Sequence, residues 1–193
     1  MIHIHTMSRI QSTTPPLRDT LFTTSVWSWS LPAGQTHTLA QKIREQQMLS
    51  PGRTASNRYG WQSHSMTQKD IPIWLSATIQ QVKDQMLLPI YQELALDRTP
   101  QLANFWYNIN PPGAFNWTHS HPNCTFSSVI YLENTTTSGP IVFENPHSIP
   151  GLTAERAILP REGTVLLFPA TTLHRVEPNL SSTDRISLAL NWL

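Results

Sequence analysis

Beyond residue 100 the sequence is divided into short runs of strand length by turn-forming residues. In the last run, 185–191, apolar residues alternate strictly with Arg, Ser, Ala and Asn, which is the two-residue period of a strand with two different faces. Prolines and glycines at 111–113, 146–151 and 160–163 mark breaks between runs. Many short strands with such breaks favour an antiparallel sandwich or barrel over a parallel sheet. The predicted strands cover 102–110, 117–121, 126–132, 140–143, 163–168, 174–177 and 185–192.

The first half of the chain has two helical patterns. One predicts a helix over 38–49, with Thr36 or Thr38 as its N-cap. The other predicts a helix over 73–96, which Pro89 should kink or shorten by its last turns. Both helices are expected to pack on the outside of the strands.

Two further short strands are predicted before residue 100, at 21–27 and 59–65. Together these elements predict a mainly β protein with flanking helices, a double-stranded β-helix (jelly roll). No composition shift indicates a linker between domains. We expect one domain over 1–193, with a loose N-terminal segment (1–18), helical and strand support (19–100) and the jelly-roll core (101–193).

The composition excludes several classes of protein. Charged residues make up 13% of the chain and the formal net charge is +1, unlike a basic nucleic-acid binder or a highly charged disordered chain. The single cysteine, Cys124, forbids an internal disulfide framework. No stretch resembles a signal peptide, and none approaches the ~20 apolar residues of a membrane helix. We therefore expect a cytoplasmic protein without a nucleic-acid or membrane partner; its oligomeric state stays open.

Two histidines one residue apart, His119 and His121, lie in one predicted strand. Alternate side chains of a strand point to the same face, so both imidazoles can reach one metal ion, for which neutral imidazole is a common ligand. Chance spacing of two surface histidines is the alternative. His3 and His5 repeat the spacing in the polar N-terminal segment, and we interpret that pair as incidental because chain termini are usually poorly ordered.

The last predicted strand carries Arg185 and Ser187 on its polar face. On the wall of a cavity this pair suits a carboxylate, because the guanidinium fork matches both oxygens and the hydroxyl adds a donor. The alternative is a structural ion pair of Arg185 with Asp184 or Glu177. His174 precedes this strand, and in a closed barrel it can return to the same end as the histidine pair.

In order and spacing these motifs resemble the 2-oxoglutarate and Fe(II) dependent oxygenases, and more narrowly a small group of oxygenases distantly similar to prolyl hydroxylases. The resemblance runs from about residue 21 to the end of the chain. The matching segments are Gly60-Trp61-Gln62-Ser63, His119-x-His121-Pro122-Asn123, the strand 127–132, Phe143-Glu144-Asn145-Pro146, Leu167-Phe168-Pro169, His174-x-Val176-x-Pro178, and Arg185-Ile186-Ser187 with Asn191.

The resemblance implies a dioxygenase that uses Fe(II), 2-oxoglutarate and O2 to hydroxylate a peptidyl or small-molecule substrate, with release of succinate and CO2. His119 and His174 correspond to metal ligands of that family. The family has a carboxylate where this chain has His121. Either His121 is a third neutral ligand, or water completes a site held by the other two histidines. Asn123 and Glu144 are lesser candidates.

The same resemblance implies a binding site for 2-oxoglutarate. Arg185 and Ser187 correspond to the anchor of its far carboxylate, and Tyr131 to a tyrosine that also reaches this group. The remaining residues expected around the site are Asn108 or Asn110 and Asn191 in the pocket, with Trp106, Phe115, Trp117 and the loop 145–159 at its mouth.

A cupin is the second interpretation of the opening stretch. Gly113, five residues and then His-x-His also begin the metal motif of many cupins, which share the barrel shape. A cupin normally supplies a glutamate a few residues after the second histidine, where this chain has Pro122-Asn123-Cys124-Thr125-Phe126, and it has no need of Arg185-x-Ser187. The alternative function is thus a metal-binding isomerase or a sugar-binding module that does not use 2-oxoglutarate.

Overall fold

Two antiparallel sheets, with a small apolar cluster between them, form the framework of the molecule. The structure is a computed structural model that describes residues 23–32, 34–147, 151 and 154–193. The major sheet contains, in spatial order, β1 (Trp27–Ser30), β9 (Thr164–Pro169), β6 (Phe126–Glu133), β11 (Arg185–Trp192), β4 (Leu102–Asn110) and β3 (Trp61–Gln62). The minor sheet contains β2 (Asn57–Arg58), β5 (Phe115–His119), β10 (His174–Val176), β7 (Ile141–Glu144) and β8 (Glu155–Ile158).

Helices cover the outer face of the major sheet. They are α1 (Gln35–Leu49), α2 (Ile73–Val82) and α3 (Leu88–Glu93), with a 3-10 turn at Gln68–Asp70. A π-helical turn, Lys83–Leu87, joins α2 to α3 just before Pro89. Pro89 has no N–H to donate to the preceding turn. The π-helical turn is therefore the interruption that the sequence predicted at this proline. In the described ranges no helix is both long and apolar enough to cross a membrane.

The main core lies between these helices and the major sheet. Ile186, Leu188 and Leu190 of β11 are fully buried there, in one cluster with Ile43 of α1 and Leu75 of α2. Each such side chain contributes roughly 1.5–3 kcal/mol when it leaves water. Because alternate residues of a strand point to opposite sides, the other face of β11 looks toward the space between the sheets. The predicted jelly roll with outer helices, and the two faces of this strand, are confirmed.

Two local predictions in the first half are wrong. The helix α1 begins at Gln35 after Gly34, whose φ of 89° is left-handed, and no threonine caps it. The Thr36 hydroxyl donates instead to Glu162 (2.6 Å). The single strand predicted at 59–65 is interrupted by a turn at Tyr59, where φ is 59°, so that β2 and β3 enter different sheets. That pairing and β1 also show that strands from before residue 101 complete the barrel.

The remaining differences concern loops and edges. The segment 145–159, expected to be a loop, contains β8, which among the described strands pairs with β7 alone and forms the edge of its sheet. Its sequence Glu-Arg-Ala-Ile is largely exposed and has no apolar alternation, so it gives no strand signal. The strand predicted at 21–27 is misplaced, because residues 23–26 are not in a strand and β1 begins only at Trp27. Leu21, Phe22, His3 and His5 lie outside the described residues.

Candidate active site

Three histidines meet between the two sheets. His119 at the end of β5 is paired across the sheet with His174 at the start of β10, and their ring centroids are 4.4 Å apart. The ring of His121 lies 5.0 Å from the first and 5.2 Å from the second. One nitrogen from each ring lies within 4.8 Å of the others, a spacing that fits three ligands of a single metal ion.

A β-bulge aims His119 into the barrel. His174 pairs with His119, but Val176 pairs with Asn116, so three steps along β5 match two along β10. The extra residue places Asn116 and His119 on the same inner wall. The predicted strand 117–121 ends early, and His121 is held beyond it by a hydrogen bond from its backbone N–H to the carbonyl of Ala170 (2.8 Å).

Hydrogen bonds orient two of the three imidazoles. Nδ1–H of His119 donates to the carbonyl of Trp117 (2.7 Å), and Nδ1–H of His174 donates to that of Thr172 (2.9 Å). A carbonyl can only accept, so each Nε2 keeps its lone pair for a metal. Burial lowers the pKa of His119, that of His121 to about 4 and that of His174 to about 3, and proximity to His119 adds to the last two shifts. The rings are neutral at neutral pH, as ligands must be.

Arg185 extends into the same cavity without an anionic partner. Its side chain is almost fully buried, and Nη1 donates to the backbone carbonyls of Ser138 and Glu177. Nη2 has no hydrogen bond within the described part of the protein. Burial lowers the pKa of the guanidinium to about 10. A buried cation in this state is costly unless an anion enters beside it.

The alternative ion pair of Arg185 is therefore wrong. Asp184 pairs with Arg44 (3.2 Å), and the carboxylate of Glu177 pairs with Arg175 (2.8 Å). Only the backbone carbonyl of Glu177 reaches Arg185. Both acidic residues near Arg185 in sequence thus form ion pairs with other arginines.

The other predicted pocket residues lie around Arg185. Tyr131 is buried, and its hydroxyl has no hydrogen-bond partner among the described residues; burial raises its pKa. Asn108 and Ser187 face each other across β4 and β11, with Nδ2 of the amide 3.5 Å from the hydroxyl, and Asn108 Oδ1 is unpartnered in the same part of the chain. Asn191 differs, because it accepts from Ser127 (2.7 Å) and donates to Asn104 (3.0 Å).

This inner cavity has a volume of about 60 Å³, and its wall contains no carboxylate. Asn110, Asn116, Ser127 and Ser128 also line it, and only the first of these was anticipated from the sequence, since nothing local distinguishes the others from surface residues. Glu144 accepts a hydrogen bond from Thr118 (2.9 Å), outside the metal group. Asn123 is exposed in a turn.

The mouth of the site differs from the expectation. Trp106 borders it, with its ring 5.3 Å from that of His121. Phe115 and Trp117 line neither the inner cavity nor the space in front of the histidines, and Trp117 is 53% exposed. A second cavity of about 300 Å³ opens beside the histidines, with Arg53, Ser56 and Gln62 in its wall, to which the sequence analysis assigned no role.

Residues 104–191 match the profile of a protein family described as "Putative 2OG-Fe(II) oxygenase". The matched segment contains the three histidines, Tyr131 and Arg185. No curated protein matches the chain in sequence.

Several solved structures share the fold. A prolyl-4-hydroxylase of Pseudomonas putida is 20% identical, with 88% of this chain and 92% of that chain covered and a TM-score of 0.67. The viral collagen prolyl hydroxylase of Paramecium Bursaria Chlorella virus-1, in complex with 2OG, is 14% identical over 86% and 94%, with a TM-score of 0.61. HygX of Streptomyces hygroscopicus, with nickel and 2-oxoglutarate bound, is 10% identical over 88% and 82%, with a TM-score of 0.64.

At such identities the structural likeness shows the fold, and the profile match adds the class of protein. Together they indicate a 2-oxoglutarate-dependent oxygenase with a distant similarity to prolyl hydroxylases, which the motifs of the sequence predicted.

Proposed function

We propose that this protein is an Fe(II)- and 2-oxoglutarate-dependent dioxygenase that hydroxylates a peptidyl or small-molecule substrate. One C–H bond of the substrate becomes C–OH, while 2-oxoglutarate and O2 are converted to succinate and CO2. The observation that carries the proposal is Arg185, a buried guanidinium with a free Nη2 in the cavity onto which three neutral histidines face. Neither a structural arginine nor a simple metal site needs that combination.

His119, His121 and His174 are the proposed metal ligands. With 2-oxoglutarate bound, Fe(II) supplies the activation of O2 that no side chain can perform. The task of the protein is to present three lone pairs, and the hydrogen bonds to the carbonyls of Trp117 and Thr172 fix two of them. Three imidazoles leave the dication without a compensating carboxylate, so the site is more positive than a site of two histidines and one carboxylate.

The far carboxylate of 2-oxoglutarate is proposed to bind between Arg185, Tyr131 and Ser187. A free Nη2 and a free phenolic hydroxyl are two donors that lack acceptors within the described residues, and a carboxylate supplies acceptors for both. If the Asn108 amide is rotated by half a turn, Oδ1 accepts from Ser187 and Nδ2 becomes a further donor. Asn191 contributes to the shape of the pocket, since its own amide is already bonded.

Part of the cavity wall is apolar. Ile141, Phe168 and Val176 line it beside the polar groups, and the first two are buried. Because Arg185 is itself almost fully buried, solvent screens its charge little, which strengthens its attraction for an anion.

Binding and turnover of 2-oxoglutarate test the proposal. Ni(II)-loaded protein should bind 2-oxoglutarate in calorimetry, and Fe(II)-loaded protein with O2 should release succinate. The matched control is His174→Ala, which should bind neither metal nor cosubstrate at this site. A protein that binds metal but ignores 2-oxoglutarate would be the cupin-type isomerase or sugar-binding module instead. The single domain over residues 1–193 and the cytoplasmic location remain proposals from the sequence.

A further inference from the structure

The second cavity lies directly in front of the proposed metal site. It has a volume of about 300 Å³ and shares five lining residues with the inner cavity, namely Ser56, Trp106, His119, His121 and Asn191. If the proposed function holds, this is the space from which a substrate can reach the metal. The rest of its wall comes from the segment that carries β2 and β3, namely Arg53, Ala55, Gln62 and Ser65.

Gln62 presents an unpartnered amide to this cavity. The residue is only 6% exposed. Its backbone carbonyl accepts from the N–H of Arg53 (2.8 Å), but its side-chain amide has no hydrogen bond within the described part of the chain. Because no neighbouring side chain engages it, this amide is available to bond a ligand that enters the cavity.

Arg53 stands beside it with an unused guanidinium. Among the described residues its side chain makes no ion pair or hydrogen bond, whereas nearby Arg58 donates to the carbonyls of Ala55 and Asn57. The backbone of Arg53 is nevertheless fixed, because its carbonyl also accepts from the side-chain amide of Asn57 (3.2 Å).

The turn that carries Arg53 is specific to glycine. Gly52 has a φ of 72°, and a Cβ on it would collide with the carbonyl of Gln62 and the indole of Trp61. This close approach sets the backbone of Arg53 against that of Gln62. The exposed side chain of Arg53 is therefore attached to a fixed stretch of backbone at the rim of the cavity.

The charges of the site also favour an anionic substrate. Within the described part of the chain no aspartate or glutamate lines either cavity, and the two charged residues of the lining are Arg53 and Arg185. A metal dication and the dianion of 2-oxoglutarate cancel, which leaves the charge of Arg185 uncompensated because His121 replaces a carboxylate ligand. Arg53 adds a second positive charge.

We infer that Arg53 and Gln62 form a subsite for a carboxylate of the substrate. A single guanidinium fork and one neutral amide suit a singly charged, planar anion, whereas a phosphate usually recruits several cations. The inference rests on the proposed function, because the same cavity must lead to the metal. The carboxylate can belong to a free amino acid or to the C-terminus of a peptide.

Matched acids and amides test the subsite on Ni(II)- and 2-oxoglutarate-loaded protein. One arm uses the proteinogenic L-amino acids and the other uses short alanine peptides, each as the free acid and as the primary amide. Binding is followed by the shift of the thermal unfolding midpoint and then by calorimetry. At least one acid should bind about 10-fold or more tightly than its amide. No preference for acid over amide in either arm overturns the inference.

Two arginine variants locate the effect. Arg53→Gln should weaken binding of the preferred acid about 10-fold or more and leave binding of its amide and of 2-oxoglutarate unchanged. Arg161→Gln removes the same charge from an exposed arginine outside both cavities and should change none of the three affinities. Full acid affinity in Arg53→Gln overturns the subsite alone. Failure of the wild type to bind 2-oxoglutarate overturns the proposed function, so the two failures are distinguishable.

Discussion

Replacing Arg185 by methionine should abolish tight 2-oxoglutarate binding while costing the cosubstrate-free protein little stability. Methionine keeps a long, flexible side chain but removes the buried charge. A residue that existed for stability would behave in the opposite way. The experiment therefore separates a binding role of Arg185 from a structural one.

The size of the effect follows from the surroundings of the guanidinium. Burial lowers its pKa to about 10. Keeping the group charged at neutral pH therefore costs the fold ~3 kcal/mol. Loss of the hydrogen bonds to Ser138 and Glu177 costs ~1–3 kcal/mol for each acceptor left unpaired, or ~2–6 kcal/mol for the two. The two contributions oppose each other, so the unfolding free energy should fall by no more than about 3 kcal/mol.

Urea unfolding of the Ni(II)-loaded protein, with and without 2-oxoglutarate, measures both consequences. Wild type should gain about 2.7 kcal/mol at a cosubstrate concentration of 100 times Kd. The variant should gain less than about 1 kcal/mol at the same concentration, because losing the contact weakens binding by roughly 2–5 kcal/mol, or about 30-fold or more. Arg185→Lys keeps the charge without the fork and should bind with intermediate affinity. A methionine variant that is ~3–5 kcal/mol less stable, as after breaking a buried ion pair, yet keeps the full gain would refute the reasoning.

Four further substitutions probe the site and the core. His174→Ala should eliminate Fe(II) binding, measured by metal analysis after dialysis, and retained stoichiometric metal would contradict its role as a ligand. His121→Asp should keep metal, because it places a carboxylate within the same group of ligand atoms; loss of metal would argue that His121 is not at the carboxylate position. Tyr131→Phe removes a hydroxyl that has no partner in the described structure, so 2-oxoglutarate should bind about 10-fold more weakly while stability is unchanged. Equal binding would exclude a hydrogen bond from Tyr131 to 2-oxoglutarate. Leu188→Ala should lower the unfolding free energy by about 2–5 kcal/mol and leave 2-oxoglutarate affinity nearly unchanged, with affinity loss as the contrary result.

The sequence by itself determined the features that depend on local periodicity. The alternation in 185–192 separated an apolar face from a polar one, and the fold buries Leu188 and Leu190 while Arg185 and Ser187 line the cavity. Strand pleating makes this division wherever the chain is extended, so it can be read without knowing which strand is the neighbour. The resemblance of the motifs from His119 to Arg185 to those of the 2-oxoglutarate oxygenases also predicted the class of enzyme.

Only the tertiary structure decided which groups meet. Asp184 and Glu177 are close to Arg185 in sequence, yet their carboxylates pair with Arg44 and Arg175. Asp184 directly precedes Arg185, and adjacent side chains of an extended chain point to opposite sides. Asp184 reaches an arginine 140 residues away in sequence, a distance that no local pattern encodes.

The same limit applies to the metal site and its mouth. A bulge in β5 that depends on pairing with β10 aims His119, and a bond to Ala170 holds His121. Arg53 lies at the cavity because Gly52 approaches Gln62 closely. That approach depends on a turn at Tyr59, in a segment that the sequence predicted to be a continuous strand. Periodicity reports the direction of a side chain relative to its own strand, whereas the partner across a cavity is set by packing between segments far apart in the chain.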